Sequence, residues 1–232
     1  MRPPCPARRG RRPRRPALFR IEEGTIVDII QTRRLVLRPW REEDAAELYR
    51  WACDPEVGPA AGWAPHESVE DSLQVLRTIL IKPDTWAVTQ KGSDAPVGSV
   101  GIFPSSCSLA EKQPEIGYWL ARPLWGKGYI PEAVRALIGL CFDRGAEAVW
   151  CAHAEVNRRS RRVIEKCGFV YRCTENWTSA LGDVRKTRYY SIRREDWQPA
   201  AETGLARPQL DSAEEESGRP MVVPANGSEQ QP

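Results

Sequence analysis

Two closely spaced glycines near the middle of the chain could form an anion-binding turn. Residues 123–133 read PLWGKGYIPEA, in which Gly126 and Gly128 lie two positions apart. A strand-like apolar run, 115–120, precedes this turn, and a run with helical spacing, 133–142, follows it. A glycine turn that opens a helix leaves several backbone N–H groups without partners, and such groups bind phosphate. The N–H groups expected to bind it are those of Gly126, Lys127, Gly128, Tyr129 and Ile130.

Two common phosphate-binding motifs do not fit this turn. A Walker loop is a longer glycine loop that ends in Gly-Lys-Ser or Gly-Lys-Thr, whereas Tyr129 follows Gly128 here. A dinucleotide-binding fingerprint requires a third glycine and a parallel βαβ unit, and the sequence indicates neither. The pattern predicts a phosphate ligand outside both classes, with a plain tight turn as the alternative.

The elements around the turn include both strands and helices. Apolar alternation and turn residues predict about seven strands. Capping residues, helical apolar spacing and terminating glycines predict four helices. The expected strands are 32–38, 86–89, 97–103, 115–120, 148–153, 169–173 and 188–192. The expected helices begin near residues 44, 68, 131 and 157. Their mixture predicts an α/β (α+β) domain.

Charge is distributed unevenly along the 232 residues, although the net charge is only +3. Residues 1–20 hold eight arginines and no acid, whereas residues 198–232 hold six acids and two arginines. Neither end has periodic apolar residues, so we expect a disordered basic arm over 1–30 and a disordered acidic tail over 198–232. The folded domain is expected over 31–197. Its small charge does not indicate a nucleic-acid-binding domain, so any contact with nucleic acid would involve the basic arm.

Cysteine and histidine usage argues against a metal site or a disulfide framework. Seven cysteines are scattered without a C-x-x-C pair, and the chain has only two histidines. No run approaches the ~18–20 apolar residues of a membrane span. We therefore expect a cytoplasmic protein, a monomer or homodimer, without a metal ion or a membrane partner.

Several motifs, in order, resemble the GNAT superfamily of N-acetyltransferases. They are the strand and WGKGY turn, the PEA helix, the next strand, and NRRS (157–160) with EKCGF (165–169). The opening TRRLVLRP (32–39) and WACDPEV (51–57) are similar to its branch of ribosomal-protein N-terminal acetyltransferases. The resemblance covers about 31–197. It implies a mixed sheet with helices on both faces, whose fourth and fifth strands splay apart to admit the pantetheine of acetyl-CoA.

Acetyl transfer from a thioester to an amine requires a base, an oxyanion donor and a proton for the thiolate. Glu115, at the start of the strand beside the expected acetyl group, is the first candidate for the base; a solvated or salt-bridged glutamate is the alternative. The resemblance places Ser160 near the thioester sulfur. Many GNAT enzymes have a proton-donating tyrosine four residues later, where this chain has Ile164. The donor is therefore left open between Ser160, a water or none.

Further residues are candidates for binding the donor. Asn157 matches a position that contacts the cofactor in the family, although Asn is also a common N-cap. A backbone N–H near Trp119 or Leu120 is the expected oxyanion donor, because a splayed strand leaves such groups unpaired. Arg122 and Lys127 could add positive charge beside the diphosphate.

Four aromatic residues are candidates for the acceptor site. Trp63 and His66 lie in a Gly/Pro-containing segment that helps to form this site in the family. Tyr118 and Trp177 could form further walls. Each of the four could instead pack in the core.

The resemblance implies an acetyl-CoA-dependent N-acetyltransferase that works by direct attack in a ternary complex. The acceptor is expected to be a primary amine, either a protein N-terminal α-amine or a small molecule. The alternative is a non-catalytic CoA-binding module with a regulatory or ribosome-associated role, which the missing tyrosine and the basic arm favour.

Overall fold

The apolar alternation of the chain produces a mixed sheet of eight strands in the computed structural model, which describes residues 29–198. The order across the sheet is β1-β2-β3-β4-β5-β6-β8-β7, and every neighbouring pair is antiparallel except β5 with β6. The strands are β1 (Ile30–Gln31), β2 (Leu35–Pro39), β3 (Thr85–Gln90), β4 (Pro96–Pro104), β5 (Pro114–Leu120), β6 (Ala148–Ala154), β7 (Val170–Thr178) and β8 (Val184–Arg193).

All seven predicted strands are present, with two differences. The short strand β1 was not predicted, since two residues carry no periodic signal. β7 and β8 are longer than predicted and pair from Val170↔Ser191 to Thr178↔Val184. Their additional residues are largely polar and exposed, so only the ladder identifies them as strand. The predicted arm and tail lie almost entirely in residues 1–28 and 199–232, outside the described residues.

The described residues contain five α-helices rather than the predicted four. The additional one is a single turn in the Gly/Pro-containing segment between the first two predicted helices, and it is too short for a periodic pattern. Its C-cap, Gly62, has a φ of 95°. The helices are α1 (Ala45–Ala52), α2 (Gly58–Ala61), α3 (Val69–Val75), α4 (Tyr129–Asp143) and α5 (Arg158–Lys166). A π-type turn, Leu76–Leu80, continues α3.

The sheet is covered on both faces, as the resemblance implied. On β3, Trp86 and Val88 point into the larger core beneath α4, whereas Ala87 between them packs with α1 and the end of α3 on the opposite face. α4 buries an apolar stripe that includes Val134 and Leu137. We call these the α4 face and the α1 face. No helix among the described residues is both long and apolar enough to cross a membrane.

The predicted splay lies between β5 and β6. The two strands are parallel, but their register contains one pair, Glu115↔Trp150. β5 stays paired with β4 along its whole length, from Pro104↔Pro114 to Gly98↔Leu120. The sheet is therefore continuous at the start of β5 and open between β5 and β6 beyond it.

Candidate active site

A cleft of about 790 Å³ runs through the splay and reaches both faces of the sheet. Its wall contains most of the residues singled out from the sequence. They are Glu115, Tyr118, Trp119, Leu120, Gly126, Gly128, Tyr129, Ile130, Asn157, Ser160 and Trp177. Four candidates do not line it: Trp63, His66, Arg122 and Lys127.

The glycine turn has the backbone geometry of an anion site. Gly126 and Gly128 have φ values of 78° and 79°, a left-handed conformation that glycine adopts without strain. Gly128 is the N-cap of α4. Among the described residues, the N–H groups of Gly126, Gly128, Tyr129 and Ile130 have no hydrogen-bond partner, whereas that of Lys127 bonds to the Leu124 carbonyl at 3.4 Å. Four of the five expected N–H donors are thus available.

An ion-pair network that the sequence did not reveal supports this turn from the segment just before β2. The Arg34 guanidinium donates to the Lys127 carbonyl at 3.0 Å and lies 4.5 Å from the centre of the Tyr129 ring. Its Nε donates to Glu132 in α4 at 2.7 Å. Burial would raise the pKa of the Glu132 carboxyl, but hydrogen bonds from Thr32 and Arg34 outweigh that effect, and the pKa is lowered. The ionised pair fixes the first turn of α4 to the segment just before β2.

The positive charge at the cleft comes from residues other than those expected. Arg122 is directed to Asp54 and Glu56 at 2.8 and 3.0 Å, away from the cleft. Among the described residues, the Lys and Arg side chains that line the cleft are Arg159, Arg162 and Lys166 in α5 and Arg185 in β8. Arg159 also stacks over Trp125, 4.4 Å from the ring centre. The sequence signal for Arg159 and Arg162 was the basic run RRSRR at 158–162.

Glu115 lies on the α1 face at the closed end of the splay. Its Oε2 accepts a hydrogen bond from the Ser105 hydroxyl at 2.6 Å. Burial raises the pKa of the Glu115 carboxyl, and hydrogen bonds from the Ser105 hydroxyl and the Ser106 backbone offset part of this rise. No ion pair involves Glu115 among the described residues, so the salt-bridged alternative does not apply. A carboxylate with a raised pKa is a stronger base than an exposed one.

The loop before β5 adds polar groups that the sequence did not identify. The Ser106 hydroxyl lies 3.0 Å from the hydroxyl of Tyr189 on β8, and both residues line the cleft with Glu115. Burial raises the pKa of the Tyr189 phenol. Since Ser106 and Tyr189 are 83 residues apart, no local pattern relates them.

Ser160 and Tyr118 face each other across the open part of the splay. The Tyr118 hydroxyl lies 2.8 Å from the Ser160 hydroxyl. Burial raises the pKa of the Tyr118 phenol well above its ordinary value, so this oxygen keeps its proton throughout the neutral range. Ile164, where many GNAT enzymes have tyrosine, is fully buried in the core. A phenol therefore reaches Ser160 from β5 instead of from α5.

Asn157 serves as the N-cap of α5. Its side-chain oxygen accepts from the Ser160 N–H at 3.0 Å, and its amide nitrogen donates to the Ala60 carbonyl at 3.0 Å. Both ends of the amide therefore have partners within the protein. The residue joins α5 to α2 and orients the turn that carries Ser160.

The register of β5 distinguishes the two candidate oxyanion donors. The Ala121 N–H bonds to Val97 of the β4 side, and N–H directions alternate along an antiparallel ladder. The N–H of Trp119 is therefore directed to β4, and that of Leu120 to the open splay. The Trp125 indole donates to the Leu120 carbonyl at 2.7 Å, which confirms that this peptide edge faces the splay. The N–H of Tyr118 has the same direction as that of Leu120.

The aromatic candidates separate into two groups. Tyr118 and Trp177 line the cleft, as expected of walls. Trp63 packs edge-on to Trp119, with 6.1 Å between ring centres, and so lies behind the wall. His66 is buried with its Nδ1 2.8 Å from the Ser72 hydroxyl, and burial lowers its pKa. Trp63 and His66 thus support the α1 face of the site without lining the cleft.

Comparison with known proteins gives a family match over most of the described residues. Residues 34–170 match the family model of the acetyltransferase (GNAT) domain. The chain is similar to the "Uncharacterized N-acetyltransferase p20" of Bacillus licheniformis, with 31% identity over 50% of this chain and 67% of that protein. It also matches the "Putative ribosomal N-acetyltransferase YdaF" of Bacillus subtilis (strain 168), with 33% identity over 38% of this chain and 49% of that protein.

The fold also matches solved structures. One is that of the microcin C7 self immunity acetyltransferase MccE in complex with acetyl-CoA and AMP. The TM-score is 0.58 at 22% identity, over 69% of this chain and 93% of that one. At this identity the likeness concerns the fold.

Proposed function

The chain belongs to the GNAT family of acetyltransferases, and on that premise we propose that it transfers the acetyl group of acetyl-CoA to a primary amine, with a peptide or protein N-terminal α-amine as the favoured acceptor. One observation carries this proposal. A single cleft connects the glycine turn at the start of α4 to the partly buried carboxylate of Glu115 and to the Tyr118–Ser160 hydroxyl pair.

The free N–H groups of the glycine turn and the cations of α5 fit the phosphates of CoA. The four N–H groups lie at or just before the start of a 15-residue helix, whose dipole also favours negative charge there. Acetyl-CoA is the donor of the family, and the solved MccE complex contains it. The open peptide edge of β5, with the N–H groups of Tyr118 and Leu120, would receive the acyl end.

Glu115 would act as the base for the attacking amine. The amine nitrogen attacks the thioester carbonyl carbon, a C–N bond forms, the C–S bond breaks, and Glu115 accepts the proton that nitrogen loses. An α-amine has a pKa of about 8, whereas a lysine side chain has about 10.4. The pKa of a carboxyl, even when raised, is closer to that of an α-amine, so Glu115 is better suited to deprotonate an α-amine than a lysine side chain. The name of one relative, "Putative ribosomal N-acetyltransferase YdaF", agrees with a protein acceptor.

The proton for the departing CoA thiolate would come from the Tyr118–Ser160 pair. Ser160 is the residue whose position the family places near the sulfur. Tyr118 can donate to the Ser160 oxygen and so replace the proton that Ser160 transfers, and solvent in the cleft then returns a proton to the Tyr118 oxygen. The pair would supply the donor that Ile164 cannot.

Direct attack without an acyl-enzyme agrees with the wall of the cleft. No cysteine of the described residues lines it. Burial raises the pKa of the nearby Cys151 thiol well above its ordinary value and that of Cys167 to about 11. Neither provides a reactive thiolate at neutral pH.

The test is acetyl transfer by the full-length chain to a panel of amines, read by mass spectrometry of the acceptor. Three peptides that differ only in their amines would be compared: one with a free α-amine and no lysine, one with a blocked α-amine and one lysine, and one with neither amine. We expect acetylation of the first only. A polyamine and an aminoglycoside form the small-molecule arm.

Transfer to a small amine but to no peptide would overturn the choice of acceptor and leave the acetyltransferase assignment intact. Binding of acetyl-CoA without transfer to any amine would contradict the proposed reaction. Reactions without the protein control for uncatalysed transfer.

A further inference from the structure

Two cysteines and a glutamate meet on the α1 face, outside the wall of the cleft. Cys107, in the loop before β5, has its Sγ 3.4 Å from the Sγ of Cys173 on β7. One carboxylate oxygen of Glu175, Oε1, lies 3.7 Å from the first sulfur and 3.8 Å from the second. The three atoms therefore form a nearly equilateral triangle, with one possible ligand atom from each residue.

These distances fit one face of a tetrahedral metal site. Zinc bonds of about 2.3 Å to sulfur and about 2.0–2.2 Å to oxygen place two sulfurs about 3.8 Å apart, and sulfur and oxygen about 3.5–3.7 Å apart. A disulfide would require the sulfurs to approach to about 2.05 Å. The observed triangle is therefore closer to metal-ligand spacing than to that of a covalent bond between the thiols.

Among the described residues, the Glu175 carboxylate accepts hydrogen bonds from Ser108 but pairs with no lysine or arginine that would compete with a metal ion. The Ser108 hydroxyl donates to Glu175 Oε1, and the Ser108 N–H lies 3.3 Å from both carboxylate oxygens. Such hydrogen bonds orient a ligating carboxylate. Among the described residues, Glu175 forms no ion pair with lysine or arginine. Two soft thiols and one carboxylate without a counter-ion match the donor set of zinc or a similar soft divalent metal.

We propose that Cys107, Cys173 and Glu175 bind one zinc-type divalent cation, with a solvent molecule as the fourth ligand. The site would join the loop before β5 to β7. That loop also carries Ser105 and Ser106, which hydrogen-bond to Glu115 and Tyr189. The metal would thus hold in place the loop that supports the base, without contacting the substrates. The two cysteines lie 66 residues apart, so their spacing resembles no zinc motif.

Cobalt binding to the full-length chain tests the site independently of activity. The protein would be kept reduced with a phosphine, freed of metal by a chelator, and titrated with Co²⁺. Thiolate ligation gives a near-ultraviolet charge-transfer band, which added Zn²⁺ should abolish by displacement. We expect one equivalent to bind. The matched control is Cys53→Ser, which removes an exposed thiol and should leave the band unchanged.

The variants separate ligation from folding. Cys107→Ser and Cys173→Ser should each reduce the band strongly, and the double variant should abolish it. Ser108→Ala, at an exposed position, should weaken cobalt affinity by about 10–100-fold while leaving the circular dichroism spectrum unchanged. Glu175→Gln should weaken it at least as much. No band in the wild-type chain at millimolar cobalt, or a band that survives in the double cysteine variant, would overturn the site.

Discussion

The side-chain hydroxyls of Tyr118 and Ser160 lie 2.8 Å apart although the residues are separated by 42 positions. They come from the two sides of the splay, one from β5 and one from the first turn of α5. A phenol of raised pKa therefore adjoins a serine whose N–H is held by Asn157. The position four residues after Ser160, which is Ile164, contributes only to the core.

The first prediction concerns this pair as a proton donor. Tyr118→Phe and Ser160→Ala should each lower kcat, within the roughly 10²–10⁴-fold range of general acid catalysis. Because the two hydroxyls act in series, the double variant should lose little more than the worse single variant. Steady-state kinetics of all four proteins measures this. Strictly additive losses would show that the two hydroxyls act independently.

The second prediction concerns Glu115 as the base. Glu115→Gln should lower kcat by roughly 10²–10⁴-fold with little change in acetyl-CoA affinity, because the amide cannot accept a proton. Calorimetry with CoA and kinetics with a saturating amine separate these effects. Glu111→Gln changes an exposed glutamate of the preceding loop and should behave as wild type. Full turnover by Glu115→Gln would exclude this base.

The third prediction follows from the raised pKa of Glu115. The base must be ionised, so kcat should fall as the pH drops through that pKa, which lies above the ordinary carboxyl value of about 4.3. Stability has the opposite dependence. A carboxyl whose pKa is raised by folding favours the folded state at low pH, and this contribution disappears as the pH rises through the folded pKa. Glu115→Gln should therefore not lower the melting temperature at neutral pH. Thermal melts across pH measure this, and a large fall would contradict the pKa shift.

The fourth prediction separates Arg34 from its neighbour Arg33. Arg34→Ala removes the hydrogen bond to Lys127 and the ion pair with Glu132, so the glycine turn should lose its support. We expect the Kd for CoA to rise about 2–10-fold, equivalent to about 0.5–1.5 kcal/mol, with kcat nearly unchanged. Arg33 is exposed, and Arg33→Ala should have no effect. Equal effects of the two variants would indicate a general loss of charge.

The fifth prediction compares two glycines with open space around them. A methyl group at Gly126 or Gly139 meets no atom within 4 Å. Gly126 has a φ of 78°, so Gly126→Ala should cost about 1–2 kcal/mol and weaken CoA binding. Gly139 lies within α4, so Gly139→Ala should stabilise the protein by about 0.5–1 kcal/mol. Chemical denaturation measures both. Stabilisation by Gly126→Ala would exclude the left-handed turn.

Local sequence patterns were sufficient to predict most helices and strands and part of the candidate active site. The two glycines, Gly126 and Gly128, indicate a tight turn by residue type alone. Apolar alternation likewise predicts a strand such as β5 without knowledge of the strands beside it. The position of Glu115 at the start of that strand follows from the same local signal. The family resemblance added the splay, which the single pair Glu115↔Trp150 confirms.

The sequence by itself therefore determined the strand–turn–helix unit and the residue types available to it, because these depend on dihedral preferences and periodicity within a few residues. Only the tertiary structure decided which side chains meet. Arg34 with Glu132, Tyr118 with Ser160 and Cys107 with Cys173 are each joined across separate elements. These side-chain contacts depend on the order of the strands in the sheet and on the register of their pairing. Strand order and register arise from the packing of the whole core, so they cannot be predicted from the spacing of residues within a short segment.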